Sequence, residues 1–146
     1  MVPARLTVVT LGVRDFAAQR DFYLGLGWTP AVDMDGFAAL QMRGAVLALF
    51  PLEELAQDGL VEAAEHRPGI RFSLAINVDE RHQVDEAIEA VRQAGGHITK
   101  EPVDAEWGGR TAYWADPEEN YWEVAWVPPD SEMAKAIARA TGSDPD

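Results

Sequence analysis

The chain has 146 residues, of which 47% are hydrophobic and 25% charged, and its formal net charge at pH 7 is -13. This length suits one domain with a substantial core, and the composition is that of a soluble globular protein. So negative a surface repels phosphate backbones and argues against nucleic-acid binding, while the absence of cysteine excludes disulfides and thiolate metal sites.

Membrane insertion and export are both disfavoured by the pattern of apolar residues. No apolar run approaches the roughly 18 residues that a membrane span needs. The start, MVPARLTVVTLGV, runs straight into a strand pattern and has no cleavage site of the kind that follows a signal peptide. The sequence therefore predicts no membrane partner and a cytoplasmic location.

The first half of the chain begins with a strand pattern, LTVVTLGVRD, followed by a helix pattern, FAAQRDFYLGLGW. Asp15 is placed to cap this helix, and Gly25 or Gly27 to end it. Two further strand patterns, FAALQMR and AVLALF, follow on either side of a turn at Gly44.

The same pattern restarts in the second half. IRFSLAINVDE is a strand, and HQVDEAIEAVRQAGG is a helix with Val84, Ile88 and Val91 at helical spacing. HITKEPV, GRTAYWAD and NYWEVAWV supply three more strands. Each half is interpreted as strand, helix and three strands, with two of those three strands evident as patterns in the first half. The two halves are therefore expected to be modules of one domain that complete each other's core.

The predicted boundaries place module one at 5–51 and module two at 70–127, within a single domain of 1–146. Residues 52–69 are acidic and partly helical in pattern. We interpret them as a connector, with a flexible flap over a cleft as the alternative.

The C-terminal tail, 128–146, begins with two prolines. It is predicted to form a short helix capped by Ser131, with Met133 and Ile137 facing inward. The last four residues are expected to be disordered.

Two segments of the sequence resemble a known superfamily. LGVRDFAAQRDFYLGLGW and ADPEENYWEVAW are similar to the signature segments of the vicinal oxygen chelate superfamily, which includes glyoxalase I, bleomycin-resistance proteins and extradiol dioxygenases. The likeness spans Leu6 to Val127. It implies an α+β fold in which two βαβββ modules form a curved mixed sheet around a cleft, with helices on the outer face. It also implies a homodimer, because members of the superfamily often dimerise.

Strand alternation supports this fold independently, because successive strand residues point to opposite faces. One parity, with Leu11, Leu49, Phe72, Trp122 and Val124 in it, is entirely apolar and is expected under the helices. The other parity is mixed, as the wall of a ligand cleft should be. The mixed set is Val8, Thr10, Ala48, Arg71, Ser73, Asn77, Tyr121 and Glu123.

The resemblance also indicates where metal ligands would lie. Metal-using members of the superfamily carry His, Glu or Gln at four positions, which fall here on Val8, Ala48, Ser73 and Glu123. Divalent ions need several converging donors, so one carboxylate does not make a site. The sequence therefore predicts no metal and no cofactor. The three histidines stand at none of these positions and are interpreted as surface residues: His66, His82 and His97.

Glu123 has several possible roles. A carboxylate on a partly apolar face must be solvated, paired or protonated. Arg71 lies on the same predicted face and could form an ion pair with it. Alternatively, Glu123 could accept a hydrogen bond from a ligand, or act as a general base with a raised pKa.

The segment EWGGRTAYW suggests further ligand contacts. Two adjacent glycines after Trp107 indicate either a turn or a close approach of the backbone to a bound molecule. Trp28, Trp107 and Tyr121 could stack on a planar ligand, with core or interface filling as the alternative. Arg110 could hold a carboxylate or phosphate at two points, or pair with a surface acid.

These observations predict a protein similar to the bleomycin-resistance proteins that binds a small, possibly aromatic molecule in its cleft without a metal. The candidate ligand-binding residues are Arg71, Ser73, Asn77, Trp107, Arg110, Tyr121 and Glu123. The alternative is an enzyme: either a metal-dependent lyase, isomerase or dioxygenase of the superfamily, or a metal-free enzyme with Glu123 as the catalytic base. A domain serving mainly for dimerisation or protein interaction is a third possibility.

Overall fold

The structure, a computed structural model, describes residues 1–143. The chain divides into two compact units, with the boundary between Arg67 and Pro68. This boundary falls within the predicted connector, 52–69. The last four residues were predicted to be disordered. Three of them, 144–146, lie outside the described residues.

The first unit contains four strands and two helices. In chain order they are β1 (Val8–Val13), α1 (Phe16–Gly25), β2 (Pro30–Met34), β3 (Phe37–Leu40), β4 (Val46–Pro51) and α2 (Leu52–Asp58). The strand order is β1-β4-β3-β2, and β1 runs parallel to β4 while the other neighbours are antiparallel.

The predicted start and end of α1 are confirmed. The Asp15 side chain accepts a hydrogen bond of 3.0 Å from the Ala18 N–H, and the helix ends at Gly25. Gly44 adopts a φ of +89° in the turn before β4, a conformation that glycine reaches without steric cost.

Two elements of the first unit were not fully predicted: the sequence pattern did not show β2, and it showed α2 only as a partly helical connector. β2 has no apolar alternation, because it lies at the edge of the sheet and nearly all its residues are exposed. The acidic segment after β4 forms α2, which packs on β1. Gly12 permits this packing, since a Cβ there would lie 2.6 Å from Leu52 Cδ1. This part of the connector is thus an anchored helix.

The second unit repeats the first. Its elements are β5 (Leu74–Asn77), α3 (Gln83–Gln93), β6 (His97–Asp104), β7 (Arg110–Ala115), β8 (Tyr121–Trp126) and α4 (Glu132–Thr141). The strand order is β5-β8-β7-β6, with β5 parallel to β8. The predicted α+β fold with two βαβββ modules is confirmed, each module forming a four-stranded mixed sheet.

The core of the second unit lies between α3 and one face of its sheet. Val84, Ile88 and Val91 are buried on the helix, as their spacing predicts, and each such burial contributes about 1.5–3 kcal/mol. Trp114 and Trp122 stack within this core, with ring centroids 5.2 Å apart and planes 3° from parallel. The apolar parity of β8 is therefore the helix side of the sheet. Phe72 was wrongly assigned to this core: it precedes β5 and is 60% exposed.

Helix α4 is capped as predicted, because the Ser131 hydroxyl accepts a hydrogen bond of 3.1 Å from the Ala134 N–H. None of its ten side chains is fully buried. Met133 is 61% exposed, so its predicted inward position is wrong, whereas Ile137 is half-buried. Across residues 1–143, no helix is both long enough and apolar enough to span a membrane.

Candidate functional site

The candidate site lies on the face of the second sheet that points away from α3. Ala75 and Tyr113 both pair with Glu123, and Thr111 pairs with Ala125. Cross-strand partners point to the same side of a sheet, so these residues share one surface, opposite to that of Trp122. We call it the open face. The sequence placed Glu123 on the face opposite the apolar core, and the structure agrees.

A pocket of about 400 Å³ lies on the open face, within the size range of small-molecule sites. Its apolar wall includes Trp107, Val127 and Met133, and Asn77 and Glu123 contribute its main polar groups. Three of the predicted ligand-binding residues thus line one pocket: Asn77, Trp107 and Glu123.

The glycine pair beside Trp107 forms a turn and also allows a close approach to the backbone, the two roles that the sequence suggested. Gly108 has a φ of +97° and forms the turn between β6 and β7. Gly109 is buried, and a Cβ there would lie 1.9 Å from Cζ3 of Trp107. The close approach is therefore to the indole ring of Trp107 itself, which remains 56% exposed at the pocket.

Glu123 forms no ion pair with Arg71 among residues 1–143, so that hypothesis is wrong; Arg71 is exposed and precedes β5. The residue that interacts with Glu123 is Tyr113, on the adjacent strand. The pKa of the Tyr113 hydroxyl is raised, first by burial and then by the negative charge of Glu123 and a hydrogen bond to its carboxylate. Tyr113 therefore stays protonated as a neutral phenol beside the Glu123 carboxylate.

Arg110 lies on the helix side of the sheet. Its guanidinium donates two bonds of 2.7 Å to the Asp85 carboxylate on α3 and one of 3.0 Å to Asp104. These bonds raise the pKa of Arg110 and lower the pKa values of Asp85 and Asp104. Of the two roles considered for this residue, the structure supports pairing with surface acids, because the guanidinium is occupied and does not reach the open face.

The remaining predicted residues lie apart from the pocket. The Tyr121 hydroxyl accepts a hydrogen bond of 3.3 Å from the Gly69 N–H, and Tyr121 lines a separate cavity of about 320 Å³ with His97 and Asp116. Ser73 is exposed just before β5 and does not line the pocket at Glu123. Trp28 stacks on Tyr23 at 5.4 Å within the first unit, as core filling predicts.

The sequence analysis missed three residues of the open face: Lys100, Thr111 and Tyr113. Lys100 donates a hydrogen bond of 3.0 Å from Nζ to Thr111 Oγ1, and its Nζ lies 5.5 Å from the centre of the Tyr113 ring. Thr111 is almost fully buried. Alternation could not assign Lys100, because the pairing of β6 with β7 shifts register on both sides of it. In β7 each parity contains one aromatic residue, so the sequence did not show which parity faces α3.

The positions that bind metal in the superfamily do not suit a metal ion here. Val8 is 51% exposed and apolar, Ala48 is buried, and Ser73 offers only a hydroxyl. Glu123 supplies the one carboxylate. Within residues 1–143, no three His, Asp or Glu side chains come together as a ligand set. The donors therefore do not fit a divalent ion, which needs several oxygen or imidazole ligands.

Comparison with known proteins agrees with this architecture. The sequence model of the Glyoxalase/Bleomycin resistance protein/Dioxygenase superfamily matches residues 5–124. No curated protein sequence matches the chain.

Several solved structures are similar over most of the chain. A glyoxalase-related enzyme from Fulvimarina pelagi is 35% identical with a TM-score of 0.78, over 86% of this chain and 90% of that protein. A glyoxalase/bleomycin resistance protein/dioxygenase from Nocardioides is 26% identical with a TM-score of 0.75, over 90% and 88% of the two chains. A lactoylglutathione lyase from Agrobacterium tumefaciens, at 18% identity and a TM-score of 0.68, covers 86% of this chain and 95% of its own, and shares the fold. With its two βαβββ units and the match over residues 5–124, the chain belongs to the Glyoxalase/Bleomycin resistance protein/Dioxygenase superfamily.

Proposed function

We propose that this protein binds a small organic molecule with a planar apolar part in the pocket of its second unit, and that binding needs no metal ion. The observation that carries the proposal is the pocket itself. An apolar wall with an exposed indole faces a carboxylate that has no cation beside it among residues 1–143. Sites for small molecules combine apolar walls with a few polar anchors in this way.

Glu123 is suited to accept a hydrogen bond from the ligand. A carboxylate has about four acceptor positions, and the half-buried Glu123 lines the pocket. These positions are available to an N–H or O–H group of a bound molecule. Trp107 offers a flat surface beside them, and its position against Gly109 limits the conformations that its ring can adopt.

The proposal is tested by titrating planar organic molecules that carry an N–H or O–H group while following tryptophan fluorescence. We expect saturable quenching in the unaltered protein. Glu123→Gln should weaken binding by about tenfold or more, because it replaces a charged acceptor. Trp107→Ala should weaken binding to a similar extent and remove most of the quenching, because it deletes the stacking surface.

Three controls make this test specific. Glu101→Gln alters a carboxylate that pairs with Arg92 of α3, and Trp28→Phe alters an indole in the first unit. Both should leave affinity unchanged, as should dialysis against a chelator. A flat response to every molecule, or a tightly held stoichiometric metal, would contradict the proposal.

An enzyme without a metal, in which Glu123 is the general base, is the second candidate. Two observations favour it: the relative from Fulvimarina pelagi is a glyoxalase-related enzyme, and Tyr113 pairs with Glu123 across the open face, where burial and the charge of Glu123 raise the pKa of the Tyr113 hydroxyl. The same Glu123→Gln variant separates the candidates. Loss of general-base catalysis would lower turnover by about 10²–10⁴-fold, whereas a protein that only binds has no turnover to lose.

A further inference from the structure

The side chain of Lys100 lies on the opposite side of β6 from that of its neighbour Glu101. Glu101 pairs with Arg92 of α3 at 2.9 Å, which places its carboxylate on the helix side of the sheet. Lys100 contacts Thr111 and Tyr113, whose side chains lie on the open face. The ammonium group therefore belongs to the surface that contains Glu123 and the pocket.

The surroundings of this ammonium differ from those of the four cations of the second unit that form ion pairs. These four pair with carboxylates: Arg81, Arg92, Arg110 and Lys135. Lys100 instead has a hydroxyl and an aromatic ring as its partners, and it forms no ion pair with any acid of residues 1–143. An ammonium has three donors. The bond to Thr111 uses one, so two remain for another molecule.

The ammonium is also held by β7, the strand next to the pocket-lining strand β8. Thr111 is only 3% exposed, so the hydroxyl that fixes Lys100 is itself fixed by the sheet. Thr111 pairs directly with Ala125, which lines the pocket. The Tyr113 ring lies beside Lys100, and Tyr113 pairs with Glu123 of β8 on the same face. The open face thus presents donors on the β6 side and a carboxylate acceptor on β8.

We propose that Lys100, positioned by Thr111, is an anion subsite, and that the ligand of this pocket is an organic acid. Its carboxylate or a similar oxyanion would bind Nζ of Lys100, its planar apolar part would contact Trp107, and an N–H or O–H group would donate to Glu123. This inference rests on the proposed function, since it assigns a ligand class to the same pocket. A chain with a net charge of -13 repels anions in general, and a charge-assisted hydrogen bond to the ammonium would offset that repulsion at this position.

Two fluorescent probes test the anion subsite. 8-Anilinonaphthalene-1-sulfonate and N-phenyl-1-naphthylamine share the aromatic rings and the N–H group, and only the first has a sulfonate. The full chain should bind the sulfonate more tightly by about tenfold, a typical effect of a hydrogen bond to a charged group. Lys100→Gln should abolish this preference and leave the affinity for the neutral probe unchanged. Lys100→Arg should retain it.

Lys135→Gln is the matched control, because Lys135 is an exposed cation paired with Glu132 on α4; its affinities should equal those of the unaltered protein. Equal binding of the two probes, or a preference that survives Lys100→Gln, would overturn the anion subsite while leaving the proposed function standing. Binding of neither probe would count against both. Because Lys100 is exposed, the Gln and Arg variants should fold, and circular dichroism verifies that they do.

Discussion

Glu123 is an isolated acid on an open sheet face, and the residues around it suit recognition of a ligand. Tyr113 lies beside it on the neighbouring strand, and burial together with the charge of Glu123 raises the pKa of the Tyr113 hydroxyl. Burying a carboxylate without a cation is costly, but Glu123 is only half-buried and opens into the pocket. It can therefore remain hydrated until a ligand replaces the water.

Arg110 shows the contrasting case of a charged residue whose partners are all within the protein. The pKa values of Asp85 and Asp104 are lowered, with the hydrogen bond from Arg110 as the largest cause in each. A carboxyl whose folded pKa is depressed stabilises the protein above its unfolded pKa, here 3.8. That contribution is lost as the pH falls from there through the folded values.

Arg110→Gln should therefore lower the midpoint of thermal unfolding at neutral pH. The difference from the unaltered protein should shrink as the pH falls below 3.8, because the carboxyls then become protonated in both proteins. Scanning calorimetry at several pH values measures this. Arg67→Gln is the control, since both side chains of the Arg67–Glu65 pair are 83% exposed and such pairs contribute little. A difference that stays constant down to low pH would contradict this explanation.

At the scale of elements, the loop between β6 and β7 positions the aromatic wall of the pocket. Two backbone hydrogen bonds of 2.9 Å close the loop, from the Ala105 N–H to the Gly109 carbonyl and from the Gly108 N–H to the Ala105 carbonyl. The ring of Trp107 then lies against Gly109. A short closed loop with an anchored ring holds an exposed indole in one place, which favours ligand binding because less side-chain entropy is lost.

Gly109→Ala should displace Trp107 and weaken ligand binding. Its Cβ would lie 1.9 Å from the indole and 2.6 Å from the backbone carbonyl oxygen of Trp126, so both the ring and the edge of β8 must move. Such overpacking costs about 1–3 kcal/mol of unfolding free energy, which urea denaturation measures. Gly59→Ala is the control, because its Cβ would meet no atom closer than 3.5 Å. Equal stability and affinity in the two variants would refute the role of Gly109.

At the scale of the whole molecule, each unit repeats the same order of strands and helices, but the two differ in what their sheets present. The positions that correspond to metal ligands are apolar in the first unit, with Val8 exposed and Ala48 buried. The polar groups that we assign to function lie in the second unit. Both units therefore have the same fold, but the proposed site lies in the second unit.

The expected homodimer is a proposal that the exposed apolar residues of the second unit support. Ile70 and Phe72 are 57% and 60% exposed and lie just before β5, an edge strand of the second sheet. Neighbouring exposed apolar residues beside a sheet edge are typical of interaction surfaces. We expect light scattering to give twice the mass of one chain, and Phe72→Lys to reduce the dimer fraction by about tenfold or more, because a charge is costly in an apolar interface.

Val61→Lys is the control for this experiment, because Val61 is an exposed apolar residue, at 69%, in the first unit. It should leave the dimer fraction unchanged. A monomer at all concentrations of the unaltered protein would exclude the dimer. A dimer that tolerates Phe72→Lys would show that the interface lies elsewhere.

The order of the main elements was predictable from the sequence, because helix spacing, strand alternation and caps are local properties of the chain, and the resemblance of two segments to a known superfamily implied the fold class. Asp15 and Ser131 cap helices as predicted, and Val84, Ile88 and Val91 pack as their spacing indicates. Alternation also placed Glu123 opposite the core. The edge strand β2 escaped detection because an exposed strand need not alternate.

The side chains that meet at the site could not be predicted from the sequence. Arg71 does not pair with Glu123, Arg110 faces α3, and Lys100 reaches Thr111, because these contacts depend on strand order and on register shifts in β6. Residues far apart in the chain, such as Trp107 and Asn77, share a pocket for the same reason. Local patterns fix the face of a residue within its own strand. Its neighbours on that face come from other strands, and the packing of the whole unit selects them.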